Sequence, residues 1–441
     1  MTSIEKIQND FSNKKVLIFG LGILGGGVGV VKFLNKIGSK LIVTDLRNED
    51  ELASSLEEIK EIAYKRTFGR HTKKDIDDCD IIIRNPGVPR NHELLKYASS
   101  QKKPIFMEAA LFAKYTQKPI IGITGTRGKT TTTWIIKSIL ENNLNQKVQF
   151  GGNIPGKSTI EMLETEDQDT WGSILELSSW QLQGFNDLKI SPHISILTNI
   201  YEDHLNRYKN MKDYIDDKTT IFKHQKSTDY LIFNQDNKTA RDIVLLSKSK
   251  KIGFTKRQID GIDVSLIGDH NRENIAAAIR VSQILKISDK NALETVKNFK
   301  AVPYRLEKIR ELNGVAYIND TTSTTPVALL AAIKSMSKPT VLIMGGNSKN
   351  LPTNELVQEL NQNKVIKKII LVPGSGTEEI KNEIDKRITL HSNNLHSAVE
   401  VSEGLTNPGD VLLFSPGFTS FSQFKNEFDR GDRFNQIVKS L

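Results

Sequence analysis

The residues best suited to chemistry form one run, Thr124–Gly125–Thr126–Arg127–Gly128–Lys129–Thr130–Thr131. An apolar stretch from Pro119 to Ile123 leads into it, and Trp134 to Leu140 leads out with helical spacing. Strand, glycine-rich loop, helix is the layout of a phosphate-binding loop. Glycines let backbone N–H groups face phosphate oxygens, and the helix N-terminus adds partial positive charge. Lys129 is then the side chain for the β- and γ-phosphates, and the Thr130 hydroxyl is a Mg²⁺ ligand. The common pattern has Gly where this chain has Ile123, with Gly122 and Gly125 on either side. Glu176 follows the short apolar stretch Ser173–Leu175, and an acid at a strand end near such a loop is the usual second anchor for Mg²⁺. His204 lies beside Glu202 and Asp203, a cluster that suits a solvated surface, a metal or a phosphate.

The elements that must carry these residues alternate strand and helix. Lys15 to Phe19 reads as a buried strand, Gly20–Leu21–Gly22–Ile23–Leu24–Gly25 follows, and Val28 to Ile37 has helical spacing. A second strand, Lys40 to Thr44, ends at Asp45. Gly-x-Gly-x-x-Gly between strand and helix, with an acid closing the next strand, fits a diphosphate flanked by ribose, whether in a dinucleotide or a UDP-sugar. A close helix–strand contact that needs small residues fits the same pattern. The strand at Ile81–Ile83 runs into Arg84–Asn85–Pro86–Gly87–Val88, a turn at the sheet edge where ligands sit in open α/β folds. Phe150 to Gly156 is another glycine-rich turn. Gly268 to Ala278 opens a helix with Asn271 and Asn274 on one face, as ligands or as a cap. Later strands are expected at Val341–Met344, Ile369–Val372 and Val411–Phe414.

A chain of 441 residues suggests about three domains at ~150 residues each. Hydrophobic residues make up 38% and charged residues 26%, ordinary for a globular protein. No apolar run approaches the ~20 residues of a membrane span, and the polar N-terminus lacks a signal core, so a cytoplasmic protein is expected. The single cysteine, Cys79, excludes an internal disulfide framework. The net charge of +9 is spread along the chain, which favours small anionic substrates over nucleic acid.

Thr-Gly-Thr-x-Gly-Lys-Thr at 124–130 resembles the ATP loop of the Mur ligase family and its relative folylpolyglutamate synthase, with Arg127 where the family usually has Asn. The likeness extends to Gly-Gly-Asn-Ile at 151–154, Glu-x-Ser-Ser-x-Gln-Leu at 176–182, Thr-Asn-x-x-x-Asp-His-Leu-Asn-Arg at 198–207 and His-Asn-x-x-Asn at 270–274. It implies an α/β protein with three domains. These are a Rossmann-like UDP-binding domain (1–115), a central P-loop ATPase-type domain with a mainly parallel sheet (116–300), and a C-terminal Rossmann-like α/β domain (301–441).

The resemblance also implies roles. Gly125, Thr126, Arg127, Gly128, Lys129, Thr130, Thr131, Asn271, Asn274, Arg305 and Asp320 would bind ATP. Leu24, Gly25, Asp45, Arg47, Gly87 and Asn153 would bind the UDP substrate. Thr324, Lys349, Ser420 and Phe428 would bind the incoming amino acid. Thr130, Glu176, His204 and Lys218 would hold two Mg²⁺ ions, with Lys218 carrying a CO₂-derived carbamate. A carbamate turns a cation into a carboxylate-like ligand, which requires an amine of lowered pKa. Lys129, Glu176, His204 and Lys218 are the expected catalytic group. The likeness is strongest to members that use ATP to join D-glutamate to UDP-N-acetylmuramoyl-L-alanine, acting as monomers. Two departures bear on the amino acid: Thr322 replaces the usual Lys of the 320–325 segment, and Phe428 is displaced from the usual Lys-Asn-Phe. A sibling ligase adding L-glutamate or another amino acid therefore stays open. Folylpolyglutamate synthases lack the first domain. A non-catalytic nucleotide-binding regulator is opposed by the intact Lys129, Glu176, His204 and Lys218.

Overall fold

The computed structural model describes residues 1–441 apart from 155, 204–206, 263, 265, 267, 387 and 421–422. The chain divides into two compact units, Met1–Asp260 with Glu273–Thr295, and Gly261–Arg272 with Val296–Leu441.

The first unit holds two parallel sheets. One comprises β1 (Lys15–Phe19), β2 (Lys40–Asp45), β3 (Tyr64–Phe68), β4 (Ile81–Arg84) and β5 (Ile105–Phe106), in the order β3-β2-β1-β4-β5. The other comprises β6 (Ile120–Thr124), β7 (Lys147–Gly152), β8 (Thr170–Glu176), β9 (Ile194–Leu197), β10 (Tyr230–Asn234) and β11 (Lys250–Phe254), in the order β11-β10-β9-β6-β8-β7. Strands covered on both faces read as continuous apolar runs, and β1, β4, β6 and β9 do so. In both sheets the strand order reverses beside the strand that feeds a glycine loop. Such switch points leave a crevice at the strands' C-terminal ends. β1 leads to the helix Gly26–Lys36, and β6 leads to the helix Lys129–Asn143.

The second unit carries a mixed sheet of β12 (Glu307–Leu312), β13 (Val315–Asn319), β14 (Thr340–Gly345), β15 (Ile366–Val372), β16 (Thr389–His391) and β17 (Val411–Gly417). Its order is β12-β13-β17-β14-β15-β16, parallel except for the β12–β13 hairpin. Asn313 and Gly314 make that hairpin turn, both with positive φ (51° and 77°), the geometry an Asn-Gly pair favours. Apolar clusters cover both faces of the sheet.

One expectation needs correction in detail. The sequence Ile194 to Ile200 has the pattern of one continuous strand, but β9 ends at Leu197, because Thr198 and Asn199 turn aside to hold the phosphate loop. Among the described residues no helix is long and apolar enough to cross a membrane.

Candidate active site

The phosphate loop is shaped by two glycines. Gly125 has φ +153° and Gly128 φ +81°, and Gly128 caps the helix Lys129–Asn143. Any side chain at Gly128 would meet Asn274 Oδ1 at 2.3 Å, so Asn274 sits directly against the loop and also accepts from Thr132 Oγ1 at 3.2 Å. Arg127 is held by its backbone: its N–H donates to Asn199 Oδ1 (2.8 Å), and its carbonyl accepts from Thr198 Oγ1 (2.6 Å) and Asn199 Nδ2 (3.2 Å). The guanidinium lies 4.0 Å from Asp203. This loop needs nothing from the family's usual Asn side chain to keep its shape. Thr126 Oγ1 accepts from the Tyr201 N–H (2.9 Å) and lies 3.1 Å from the Tyr214 hydroxyl. Lys129 Nζ folds onto its own loop, donating to the carbonyls of Gly125 (3.0 Å) and Thr126 (3.2 Å). Thr130 and Thr131 follow in the first turn of the helix.

Glu176 ends β8, next to β6 in the sheet, and is 3% exposed. One carboxylate oxygen accepts from Asn153 Nδ2 at 3.3 Å; the other is buried with no described partner. A buried bare carboxylate oxygen is costly unless something binds it. Together with the Thr130 hydroxyl it offers the hard oxygen ligands that Mg²⁺ takes, so the residues present fit the metal.

Lys218 lies on the helix Met211–Lys223 and is 2% exposed. Its Nζ donates to the Gly125 carbonyl at 2.8 Å and sits 4.7 Å from the centre of the Tyr214 ring. Burial, and then the charge of Lys129, push its pKa well below the usual lysine value, while Asp203, Asp217 and Glu176 oppose the shift. Burial therefore works against the charged form of this amine. His204 falls outside the described residues.

The expected UDP-substrate residues end or follow strands of the first sheet, except Asn153, which follows β7 and donates to Glu176. Asp45 takes hydrogen bonds from the N–H groups of Gly22 (2.8 Å) and Arg47 (2.9 Å), which makes it the peg of the first glycine loop. Gly20 and Gly22 pack on Asn85, whose side chain in turn accepts from Gly87 N at 2.8 Å. Gly156 N donates to Leu24 O at 3.0 Å, and a Cβ on Gly25 would lie 3.1 Å from Gly156. The two glycine-rich turns, 20–25 and 151–156, thus meet. Glu108 clamps the second: one carboxylate oxygen accepts from Ser158 Oγ (2.6 Å) and from the N–H groups of Thr159 (2.5 Å) and Ile160 (3.2 Å).

In the second unit Asp320 directly follows β13, taking hydrogen bonds from Ser415 Oγ (2.7 Å) and Leu306 N (3.2 Å). Arg305 sits between two residues with positive φ, Tyr304 (65°) and Leu306 (46°), in a strained turn. Thr322, which stands in place of the family's Lys, donates to the Tyr304 carbonyl at 2.9 Å and braces that turn. Lys349 Nζ donates to Thr324 Oγ1 at 3.2 Å, so these two expected amino-acid ligands are adjacent. Ser420 Oγ is buried with no described partner, in a pocket shared with Gly346, Phe424 and Arg430. Phe428 packs edge-on against Tyr304 at 5.8 Å. Asn271 lies in the first turn of the helix Asp269–Ile284. Reasoning from sequence did not single out Arg430, which is 3% exposed and tied to Thr321 and Phe418.

A family model described as the Mur ligase middle domain matches residues 123–261. A second, the MurD-like N-terminal domain of Mur ligases, matches residues 14–107. A protein of Roseiflexus sp. (strain RS-1) named UDP-N-acetylmuramoylalanine–D-glutamate ligase is 34% identical, covering 98% of this chain and 99% of its own. The chain belongs to the Mur ligase family. A protein of the same name from Borreliella afzelii (strain PKo) is also 34% identical over 98% of this chain and 99% of its own. Among solved Mur ligase structures, the UDP-N-acetylmuramate–alanine ligase of Thermotoga maritima superposes with TM-score 0.61 at 16% identity. It covers 97% of this chain and 99% of its own. The MurF ligase of Thermotoga maritima in complex with ADP gives 0.60 at 16% identity, covering 98% and 97%. At such identities these structures share the Mur ligase fold.

Proposed function

We propose that this protein is an ATP-dependent amide ligase that adds D-glutamate to UDP-N-acetylmuramoyl-L-alanine in peptidoglycan precursor synthesis. One arrangement carries the reading. The phosphate loop, the bare oxygen of Glu176 and the buried amine of Lys218 converge at the ends of β6 and β8. Full-length relatives with that ligase name supply the substrate class. The division into 1–115, 116–300 and 301–441 belongs to the same reading, each stretch centring on one sheet.

A carboxylate is a poor electrophile because its leaving group would be oxide. An alanyl carboxylate oxygen attacks the γ-phosphorus of ATP, the bond to the β-phosphate oxygen breaks, and ADP departs. The resulting acyl phosphate has a good leaving group. The glutamate amine attacks its carbonyl carbon, the tetrahedral intermediate collapses, phosphate leaves and the nitrogen loses a proton. Lys129, released from its loop carbonyls, neutralises charge between the two anions that must meet. Arg305 and Asp320 address the nucleotide's γ-phosphate and ribose, while Lys349, Thr324, Ser420 and Phe428 bind glutamate. Asp45, Arg47, Leu24, Gly25, Gly87 and Asn153 bind the UDP substrate. Thr130, Glu176, His204 and carbamylated Lys218 would hold two Mg²⁺ ions, which when bound screen the phosphates and polarise the transferring phosphoryl group. The protein works as a cytoplasmic monomer.

The test is phosphate release from ATP with UDP-N-acetylmuramoyl-L-alanine and a panel of D- and L-amino acids. Release with D-glutamate alone is expected. Preferential release with L-glutamate would assign a sibling activity, and no release with any amino acid would remove the ligase reading.

A further inference from the structure

Arg84 closes β4 and is 3% exposed, yet its described partners are all neutral. It donates to the Val88 carbonyl (3.2 Å), the Met107 sulfur (2.8 Å) and Gln183 Oε1 (2.9 Å). Gln183 sits on the helix Ser179–Asp187, and its Nε2 donates to Asp217 Oδ2 at 2.7 Å. The same oxygen accepts from the Tyr208 hydroxyl at 2.9 Å. Asp217 immediately precedes Lys218 on the helix Met211–Lys223.

A guanidinium only donates and a carboxylate only accepts. The amide of Gln183 therefore has one workable orientation, and a flip would break both bonds. The chain of contacts is directional, buried at Arg84 and partly buried at Gln183 and Asp217. A well-packed methionine would fill the place of Arg84 without taking a charge out of water, so stability alone gives little reason for an arginine. At one end of this chain is the turn 85–88, pinned further by Arg207 Nη1 on the Gly87 carbonyl (3.1 Å) and by the Arg90–Asp187 ion pair. At the other end is the helix that presents the buried amine to the Gly125 carbonyl.

We infer that Arg84, Gln183 and Asp217 form a positioning relay that ties the turn closing on the uridine substrate to the helix carrying Lys218. The inference rests on the ligase reading above. Filling the nucleotide-sugar pocket at Gly87 pulls on Val88 and Arg84, and the relay passes that constraint to the register of the Lys218 helix. ATP and acceptor substrate are thereby aligned by one polar chain.

Two measurements test it on the full-length protein. In steady-state kinetics, Arg84→Met and Gln183→Met each raise KM for the UDP substrate and lower kcat by about tenfold, the worth of one charge-assisted hydrogen bond. KM for ATP stays within about twofold, and the double variant is no worse than either single one, because both cut the same chain. Effects that multiply, or kinetic constants that stay at wild-type values while only the melting temperature moves, would overturn the relay. In hydrogen exchange without ATP, UDP-N-acetylmuramoyl-L-alanine slows exchange at 85–88 and at 211–223 in the wild type. In Gln183→Met it slows exchange at 85–88 alone. Wild-type protection confined to 85–88 contradicts the relay; no protection at either segment contradicts the substrate assignment and the relay with it. Gln183→Met keeps the test open should Arg84→Met fail to fold.

Discussion

Replacing Gly125 by alanine puts a methyl group where the loop has no room. The new Cβ would lie 1.9 Å from Thr198 Oγ1, 3.0 Å from the Asn199 carbonyl oxygen and 3.1 Å from the Asn199 nitrogen. Thr198 is 2% exposed and its hydroxyl donates to the Arg127 carbonyl at 2.6 Å. The first contact is roughly 1.5 Å short of van der Waals distance, so the hydroxyl must leave that carbonyl. Losing the hydrogen bond costs about 1 kcal/mol. Holding a residue with a side chain at φ +153° costs roughly 1–3 kcal/mol more. The sum is a loss of about 2–4 kcal/mol, read by urea unfolding. Arg127 and Gly125 both line the loop, so ATP affinity falls by at least about tenfold while UDP-substrate affinity holds, as calorimetry would show. Thr198→Ala alone costs about 1 kcal/mol and adds nothing on top of Gly125→Ala, since both remove one bond. A Gly125→Ala protein within about 0.5 kcal/mol of the parent, binding ATP equally well, would refute this reasoning.

Two further outcomes are expected. Lys218→Ala drops turnover to background, and added formate or acetate partly restores it by standing in for a carboxylate-like ligand; a variant as active as the parent would show that Lys218 is not that ligand. Glu108 bears on pH. Burial raises its pKa from 4.5 to about 7, against the pull of its Ser158, Ile160 and Thr159 donors. The folded state then holds a proton that the unfolded state has lost, so this group's contribution to stability declines as pH rises from about 4.5 to about 7. Glu108→Gln escapes that penalty: it should match the parent in urea at pH 5 and exceed it by roughly 2 kcal/mol at pH 8. A gap that does not widen with pH contradicts the assignment.

The phosphate loop was legible in the sequence because glycine, lysine and threonine are each needed for a distinct physical reason in a fixed order. Glu176 was legible for a similar reason, as an acid ending an apolar strand. What holds the loop was not. Thr198 and Asn199 sit between Leu197 and Ile200 in a run that reads as one strand, and nothing local marks the turn that brings them to Arg127. β3, with its half-exposed Tyr-Lys-Arg-Thr-Phe, has too few apolar residues to announce a strand. Lys218 sits in a charged run, Asp216–Asp217–Lys218, that resembles a solvated face. Only the family likeness singled it out, and its burial comes from packing against the loop and Tyr214. Arg84 and Arg430 were missed because a buried arginine with neutral partners is a tertiary fact, invisible in the neighbouring residues.

The central claim is that an oxygen of the alanyl carboxylate becomes an oxygen of the released phosphate. Turnover of UDP-N-acetylmuramoyl-L-alanine labelled with ¹⁸O in that carboxylate, with ATP, Mg²⁺ and D-glutamate, tests this in a single mass spectrum. The account predicts phosphate carrying one ¹⁸O and a peptide product that keeps the other. Product formed with unlabelled phosphate would contradict it.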